Sequence, residues 1–331
     1  MTAEFLGALP RQAGPEICCR FRWEGRSICR PVAAGDGFPL MNRLQIGRRF
    51  RLTPERGAVA DVEPCEELPP FPAGGRTVPG GRTLKALLAA AAAPLGRVLY
   101  VYGGGWDWQD SGAGPQTRSP APAPEWHAFF QAQDGRYSYR DHRQSGGRNP
   151  WYFAGLDCSG YLGWAVYAAL YDRTGLPGLV CPAQRMAGEL ATRGWGALLP
   201  APESFRPGDV CSIRGHVWLC MGTCGDGSVL LAHSTPSPSR EGCPGGGVQL
   251  SALSPDGSGG EALALADAVM RRRPAWYRRY APIAEPWDVY TGLSGGAFRW
   301  ALDGSGPLTD PEDCASRSAP EVLALLGLTD G

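Results

Sequence analysis

The stretch from 209 to 253 constrains the fold of this 331-residue chain more than any other part of its sequence. It contains four short segments of apolar and β-branched residues, and glycine-containing turns separate them. The segments are 209–213, 216–221, 228–234 and 247–253. Short strands at this spacing, joined by tight turns, predict an antiparallel sheet.

Helical patterns flank this predicted sheet in the sequence. Residues 82–93 are rich in Leu and Ala, which favour a helix. Residues 158–171 are apolar on almost every side, which is typical of a buried helix. Further helical patterns occur near 183–193 and 261–273, and the region 287–300 is predicted to add strands. Together these elements predict the α+β fold class.

The N-terminal part of the chain has a different pattern from the rest. Strand-like segments around 17–29 precede a Pro- and Gly-rich linker at 69–75. We therefore predict a small β-rich module over 1–75, a larger α+β domain over 80–290, and a C-terminal extension over 291–331. A simple β extension of the larger domain is an equally open interpretation of the first segment.

Composition excludes several classes of function. Lys plus Arg equals Asp plus Glu at 32 each, and this zero net charge argues against nucleic-acid binding. The first residues lack the basic start and apolar run of a signal peptide. The longest low-polarity stretch, 84–95, is too short to cross a bilayer. We expect a cytoplasmic protein without membrane insertion; trimming of a leader would allow a cell-envelope location, and the oligomeric state stays open.

Cys158 is the first candidate for chemistry, because it opens the second strong helix. The free N–H groups and the dipole at a helix start favour negative charge, so we expect a lowered thiol pKa there. The alternative is a small buried apolar residue, which is the usual role of a free cysteine. The eleven cysteines show no regular framework of pairs, and we expect them to be reduced.

The second candidate is a pair of histidines on neighbouring predicted strands. A hairpin turn centred on Gly225 and Asp226 pairs positions whose numbers sum to 451. This register makes His216 and His233 diagonal neighbours on one face of the sheet, with Cα atoms about 7–8 Å apart. One imidazole can then orient the other, and a one-residue slip would separate them.

A metal site is the competing interpretation of the same region. His216 and His233 lie close in sequence to three cysteines, at 220, 224 and 243. Zinc sites usually show tight pairs of ligands, and this region has no second such pair. The sequence therefore predicts neither a metal nor an organic cofactor.

Five short motifs in order resemble the NlpC family of bacterial cell-wall cysteine peptidases, which are papain-like. The sequence carries YVYGG at 100–104, DCSG at 157–160, PGDV at 207–210, HV at 216–217 and AHS at 232–234. The resemblance covers about 80–255. It implies a papain-like domain, with a helix-borne cysteine packed on an antiparallel sheet. The N-terminal module loosely resembles the SH3-like domains that precede many such catalytic domains.

The resemblance also implies roles for six residues. Cys158 corresponds to the nucleophile, His216 to the general base and acid, and His233 to the residue that orients His216. Family members hydrolyse the γ-D-glutamyl–diamino acid bond of peptidoglycan peptides. Members that recycle small muropeptides bind a free L-Ala amine with residues that correspond to Tyr100, Asp157 and Ser159. A carboxylate and a hydroxyl can hold such an ammonium group.

The sequence departs from the family in three places that bear on substrate identity. The spacing of 17 residues from His216 to His233 is somewhat long for the family. Residues 105–156 form a long insertion, which we expect to lie beside the cleft. Trp218 stands where relatives often have a small residue. Two alternatives remain open: a muramoyl-L-alanine amidase or transferase that uses the same three residues, and a binding module with an inactive site.

Overall fold

The computed structural model describes residues 1–10, 16–33, 49–56, 58–65, 81–105, 122–143, 149, 151, 154–170 and 181–329. Within these ranges the chain forms eight α-helices and two antiparallel sheets, so the fold is a mixed α+β fold as predicted. None of the helices in the described ranges is long and apolar enough to cross a membrane.

The first sheet is built from the N-terminal segment. Its strands are β1 (Thr2–Pro10), β2 (Glu16–Trp23), β3 (Arg26–Ala33), β4 (Arg49–Glu55) and β5 (Ala58–Pro64), in the order β3-β2-β1-β4-β5. A turn at Glu24 and Gly25 joins β2 to β3, and both residues have positive φ angles, as a type I′ hairpin turn requires. The sheet confirms the β-rich prediction for this segment. The predicted linker at 69–75 lies outside the described residues.

The second sheet contains the four strands predicted between 209 and 253. Its strands are β6 (Gly196–Leu199), β7 (Val210–Ile213), β8 (His216–Thr223), β9 (Val229–Thr235), β10 (Gly247–Leu253) and β11 (Gly296–Trp300), in the order β10-β9-β8-β7-β11-β6. Strand β11 comes from the segment predicted as a C-terminal extension. It pairs with both β6 and β7, so this segment completes the sheet.

The helices include all those predicted from the sequence. They are α1 (Leu84–Ala92), α2 (Pro124–Ala132), α3 (Cys158–Leu170), α4 (Met186–Thr192), α5 (Gly260–Arg271), α6 (Pro274–Tyr277), α7 (Trp287–Thr291) and α8 (Ala319–Leu325). The strand expected within 287–300 is present only as β11, because its first residues form α7. Pro286 precedes this short helix, where its missing N–H leaves no hydrogen bond unmade.

The two faces of the second sheet have different neighbours. Helix α3 is buried along its whole length and packs against β8 and β9. The face toward α3, which we call the helix face, carries Val217, Leu219, Leu230 and Ala232. The opposite face, which we call the Tyr290 face, carries Trp218, Cys220, Val229 and Leu231 with Tyr290 of α7 against them.

Candidate active site

The start of α3 is fixed by a carboxylate cap and by close backbone contacts. Asp157 Oδ1 accepts hydrogen bonds from the Gly160 N–H at 2.6 Å and the Ser159 hydroxyl at 2.9 Å. Such a cap satisfies donors that a helix start leaves free. Gly160 packs directly against the carbonyl of Gly104, where a side chain would collide. The glycines of both motifs therefore bring Cys158 close to the 100–105 turn.

The sulfur of Cys158 lies at the edge of β8, beside the backbone of His216. Its Sγ atom is 4.0 Å from the carbonyl oxygen of Gly215, and the N–H of Val217 donates toward it. The N–H of Cys220 donates to the carbonyl of Asp209, the residue before β7, so by strand alternation the Gly215 carbonyl and the Val217 N–H point toward β9. The sulfur therefore occupies the space between β8 and β9 at this end.

The pairing of β8 with β9 explains why that space exists. The ladder joins 219–223 to 229–232, and β8 residues before Leu219 pair only with β7. Strand β9 meanwhile stays paired with β10 along its whole length. The two strands thus diverge at the end that holds His216 and His233, and the start of α3 fills the gap.

Burial dominates the acidity of the Cys158 thiol. The residue is only 5 % exposed, and burial raises its pKa to about 12, with the Asp157 carboxylate acting in the same direction. The N–H groups of Val217, Ser159 and Cys158 lower the pKa by less. The prediction of a lowered thiol pKa is therefore wrong for this arrangement, because desolvation outweighs the helix-start donors. The thiol is protonated at neutral pH.

The two imidazoles are in direct contact, which the predicted register allows. Leu219 pairs with Ala232, a sum of 451, and His216 Nε2 lies 2.9 Å from His233 Nδ1. Burial lowers the pKa of His216 to about 4 and lowers the pKa of His233 as well. Both rings are therefore neutral near pH 7, and one hydrogen bond joins them. The prediction of one shared face is confirmed.

The imidazoles project from the Tyr290 face, whereas α3 packs on the helix face. The Tyr290 ring stands edge-on to both, with centroids 5.6 Å from His216 and 6.0 Å from His233. The charge of a Cys158 thiolate also contributes to the raised pKa of Tyr290, so the sulfur lies within electrostatic range of this face. Among the described contacts no hydrogen bond joins Sγ to an imidazole, and the sulfur reaches the backbone on either side of His216.

A buried polar chain continues beyond His233 that the sequence analysis missed. His233 Nε2 lies 2.9 Å from Ser251 Oγ, which accepts a hydrogen bond from Gln249 Nε2 at 3.0 Å. Glu285 Oε1 lies 3.7 Å from the same His233 nitrogen. Alternation along the predicted strand 247–253 could have placed Gln249 and Ser251 on this face. Glu285 follows no periodic pattern, so the sequence held no signal for it.

The three residues predicted to bind substrate lie around Cys158. Tyr100 forms an isolated bridge with Leu156, and its pKa is raised by burial and by the charges of Cys158 and Asp157. Asp157 Oδ2 accepts a hydrogen bond from the Gly103 N–H at 3.0 Å. Burial raises the pKa of this carboxyl to about 6. The structure thus brings Tyr100, Asp157 and Ser159 together, with the Asp157 carboxylate already bonded within the protein.

The described part of the insertion packs beside these residues, as expected. The Tyr137 hydroxyl donates to the carbonyl of Tyr100 at 2.8 Å, and Tyr139 stands edge-on to the Tyr100 ring at 5.3 Å. Asn149 Nδ2 donates to the carbonyl of Tyr102 at 2.7 Å. The insertion therefore supports the turn that holds Asp157 and Cys158.

Trp218 packs away from the imidazoles rather than crowding them. Its ring lies 5.2 Å from that of Phe205, and its indole N–H donates to the carbonyl of Tyr290 at 3.3 Å. This bond fixes the backbone at the end of α7. The large residue at 218 therefore helps to position Tyr290 over His216 and His233.

Two groups of potential metal ligands occur among the described residues, both away from the histidines. They are Cys224, Asp226 and Glu261, and Asp310, Glu312 and Cys314. Asp226 already accepts bonds from Ser228 and from the Glu261 N–H. Asp310 caps two backbone N–H groups in the same way. These carboxylates therefore have roles in holding local turns.

No family model, no curated protein and no solved structure matches this chain. The resemblance to the cell-wall peptidases therefore depends on the five sequence motifs.

Proposed function

We propose that this protein is a papain-like cysteine peptidase with Cys158 as nucleophile, His216 as general base and acid, and His233 as the residue that orients His216. The observation that carries the proposal is the 2.9 Å bond between the two imidazoles, with the sulfur of the helix-start Cys158 in contact with the backbone on either side of His216. Nucleophile, base and orienting group in this order are the elements of covalent acyl transfer.

The bond between the imidazoles assigns separate tasks to the two nitrogens of His216. Nε2 is engaged with His233, so Nδ1 is the atom that exchanges a proton with the sulfur. A neutral ring can accept a proton there, and the low pKa of His216 keeps it neutral at pH 7. His233 fixes the orientation of the ring and stabilises the imidazolium that forms during the reaction.

The proposed reaction has two halves with one covalent intermediate. Nδ1 of His216 takes the thiol proton of Cys158 while the sulfur attacks the substrate carbonyl carbon, and the C–N bond then breaks as the amine leaves with that proton. Water next attacks the thioester and gives a proton to His216. The C–S bond breaks, the acid product leaves and the thiol is restored.

In the proposed resting state the Cys158 thiol and the His216 imidazole are both neutral. The site therefore differs from one in which the cysteine is already a thiolate before substrate binds. The thiol pKa of about 12 and the imidazole pKa of about 4 both favour the neutral pair. Proton transfer must therefore accompany attack on the substrate. The N–H groups at the start of α3 are suited to stabilise the oxyanion that develops next to the sulfur.

The proposed substrate is a small peptidoglycan-derived peptide with a free L-Ala amine, cleaved at its γ-D-glutamyl–diamino acid bond. Tyr100, Asp157 and Ser159 lie together beside the sulfur, and a carboxylate next to a hydroxyl suits an ammonium group. An arriving ammonium would favour the ionised form of Asp157, whose pKa burial raises to about 6. Recycling of such fragments takes place in the cytoplasm, which fits the expectation from the sequence.

The test is incubation of the purified chain with L-Ala-γ-D-Glu-diaminopimelate and with the same peptide acetylated at its amine. We expect release of diaminopimelate from the free peptide, seen by mass spectrometry, and little from the acetylated one. Cys158→Ala should release none, whereas Cys314→Ala, at a buried cysteine outside the site, should act like the parent. Cleavage at another bond would contradict the substrate assignment, and turnover by Cys158→Ala would contradict the mechanism.

A further inference from the structure

The carboxylate of Glu285 is a buried group that the proposed mechanism does not use. The residue is only 8 % exposed, and its Oε1 has no hydrogen-bond partner among the described residues. A buried carboxylate oxygen without a partner is costly, so its position calls for an explanation. This oxygen lies 3.7 Å from His233 Nε2.

The backbone holds Glu285 in this place. Its N–H donates to the carbonyl of Ala252 at 2.8 Å, and the neighbouring Ala284 forms a bridge with Ala252 of β10. Ser251, the residue before Ala252, contacts the same nitrogen of His233. The segment that carries Glu285 is therefore fixed to β10 next to Ser251. As a result, the Ser251 hydroxyl and the Glu285 carboxylate both lie beside His233 Nε2.

The position of the proton on His233 decides whether His216 can act as a base. If His233 carries its proton on Nε2, that N–H points to Ser251 and Glu285, and Nδ1 accepts a hydrogen bond from the Nε2–H of His216. His216 Nδ1 is then unprotonated and can take the proton of Cys158. If His233 carries its proton on Nδ1 instead, the proton of His216 moves to its own Nδ1 and the base is lost.

Ser251 alone does not choose between these two states. Its hydroxyl accepts a hydrogen bond from Gln249, and it can still either donate to His233 Nε2 or accept from it. An ionised carboxylate is only an acceptor, so it favours a hydrogen on the nitrogen that it faces. We propose that Glu285 is a positioning residue that keeps the proton of His233 on Nε2 and thereby leaves Nδ1 of His216 free to act as the base; this inference rests on the proposed function.

The groups around Glu285 agree with this role. His233 on β9 and Tyr290 on α7 face the carboxylate, and His216 and Cys158 lie behind them. Burial raises the pKa of Glu285 to about 7, and a hydrogen bond with Tyr290 acts in the opposite direction. The carboxylate therefore ionises near neutral pH, and the preference for Nε2–H should grow as the pH rises through this range.

The kinetic test compares Glu285→Gln with Glu203→Gln, a matched change at an exposed carboxylate. We expect Glu285→Gln to lower kcat by about 10- to 100-fold with KM unchanged, as for loss of a group that supports a general base. In the parent, kcat should rise with pH near 7 as Glu285 ionises, and this rise should disappear in Glu285→Gln. Glu203→Gln should match the parent. An unchanged kcat and pH profile in Glu285→Gln would overturn the proposal.

A second measurement separates this inference from the proposed function. The chain has only four histidines, so ¹⁵N-labelled imidazoles can be resolved and assigned by NMR. At pH 8 we expect His233 with its proton on Nε2 in the parent and a loss of that majority form in Glu285→Gln. This readout needs no turnover, so it stands even when no peptide is hydrolysed. A parent spectrum with the proton on Nδ1, or one that does not respond between pH 5 and 9, would overturn the inference whether or not the variant folds.

Discussion

The two ends of the β8–β9 hairpin differ in which groups contact their backbone N–H and C=O groups. At the closed end, near the turn, Leu219 to Thr223 pair with Val229 to Ala232 and most of the side chains are apolar and buried. At the open end the ladder has stopped, and the sulfur of Cys158 contacts backbone groups that a paired strand would have covered. The reactive groups of this fold therefore lie where strand pairing ends.

The two ends also differ in what burial does. At the closed end burial removes apolar surface from water, which is stabilising. At the open end burial acts on ionisable groups, and it moves the pKa values of Cys158, His216 and Glu285 toward their neutral forms. We therefore expect changes at the closed end to alter stability and changes at the open end to alter chemistry.

The largest expected effect is on activity, at the open end. His216→Gln should lower kcat/KM by about 1,000-fold or more, because the general base is lost while the side chain stays polar and of similar size. Steady-state kinetics on the free tripeptide measure it, with circular dichroism to check the fold. His127→Gln, at a histidine outside the site, is the control. A loss below tenfold in His216→Gln would remove His216 from the mechanism.

The second largest effect is expected on stability, at the closed end. Leu230 is fully buried on the helix face, and Leu230→Ala should lower the free energy of unfolding by about 2–5 kcal/mol through the cavity it leaves. Urea denaturation gives this value, and kcat measured well below the melting temperature should stay near that of the parent. A variant that keeps its stability but loses kcat would break the proposed division between the two ends.

Glu285→Gln, in contrast to Leu230→Ala, should lower activity and raise stability above neutral pH. The folded pKa of about 7 exceeds the ordinary value of 4.5, so the native state binds the proton more tightly than the unfolded state. Stability contributed by this group is therefore present at low pH and is lost as the pH rises from 4.5 through 7. The variant should gain up to about 3 kcal/mol relative to the parent at pH 8 and nothing at pH 4. A lower stability of the variant at pH 8 would show that the carboxylate has a structural role.

The smallest expected effect concerns thiol reactivity. Cys65 is exposed, whereas the pKa of Cys158 is raised to about 12. At pH 8 iodoacetamide should therefore modify Cys158 at least about 100-fold more slowly than Cys65, because so little of the buried thiol is ionised. Peptide mapping after timed quenching gives both rates in one sample. Faster modification of Cys158 would mean that a thiolate is present at rest.

The sequence was sufficient to predict the hairpin and the histidine pair. The turn at Gly225 and Asp226 fixes the register, and Cys220 pairs with Leu231 at the predicted sum of 451. A bulge shifts the register to 452 only on the turn side, at Gly222, which leaves the histidines where they were predicted. Local turn chemistry and strand alternation therefore decide this part of the site.

The acidity of Cys158 and the role of Glu285 could not be predicted in the same way. The raised thiol pKa follows from burial, and that burial depends on how closely Gly160 docks on Gly104, two residues far apart in the sequence. Glu285 reaches His233 through an irregular segment anchored to β10. Neither arrangement leaves a periodic pattern, because both depend on tertiary contacts.

Covalent catalysis by Cys158 can be tested by mixing the protein with excess free tripeptide, quenching with acid within milliseconds and measuring the intact mass of the protein. We expect one acyl group per chain, located on Cys158 by peptide mapping and absent from Cys158→Ala. An acyl group on another residue, or product formation by a chain that never carries one, would contradict it.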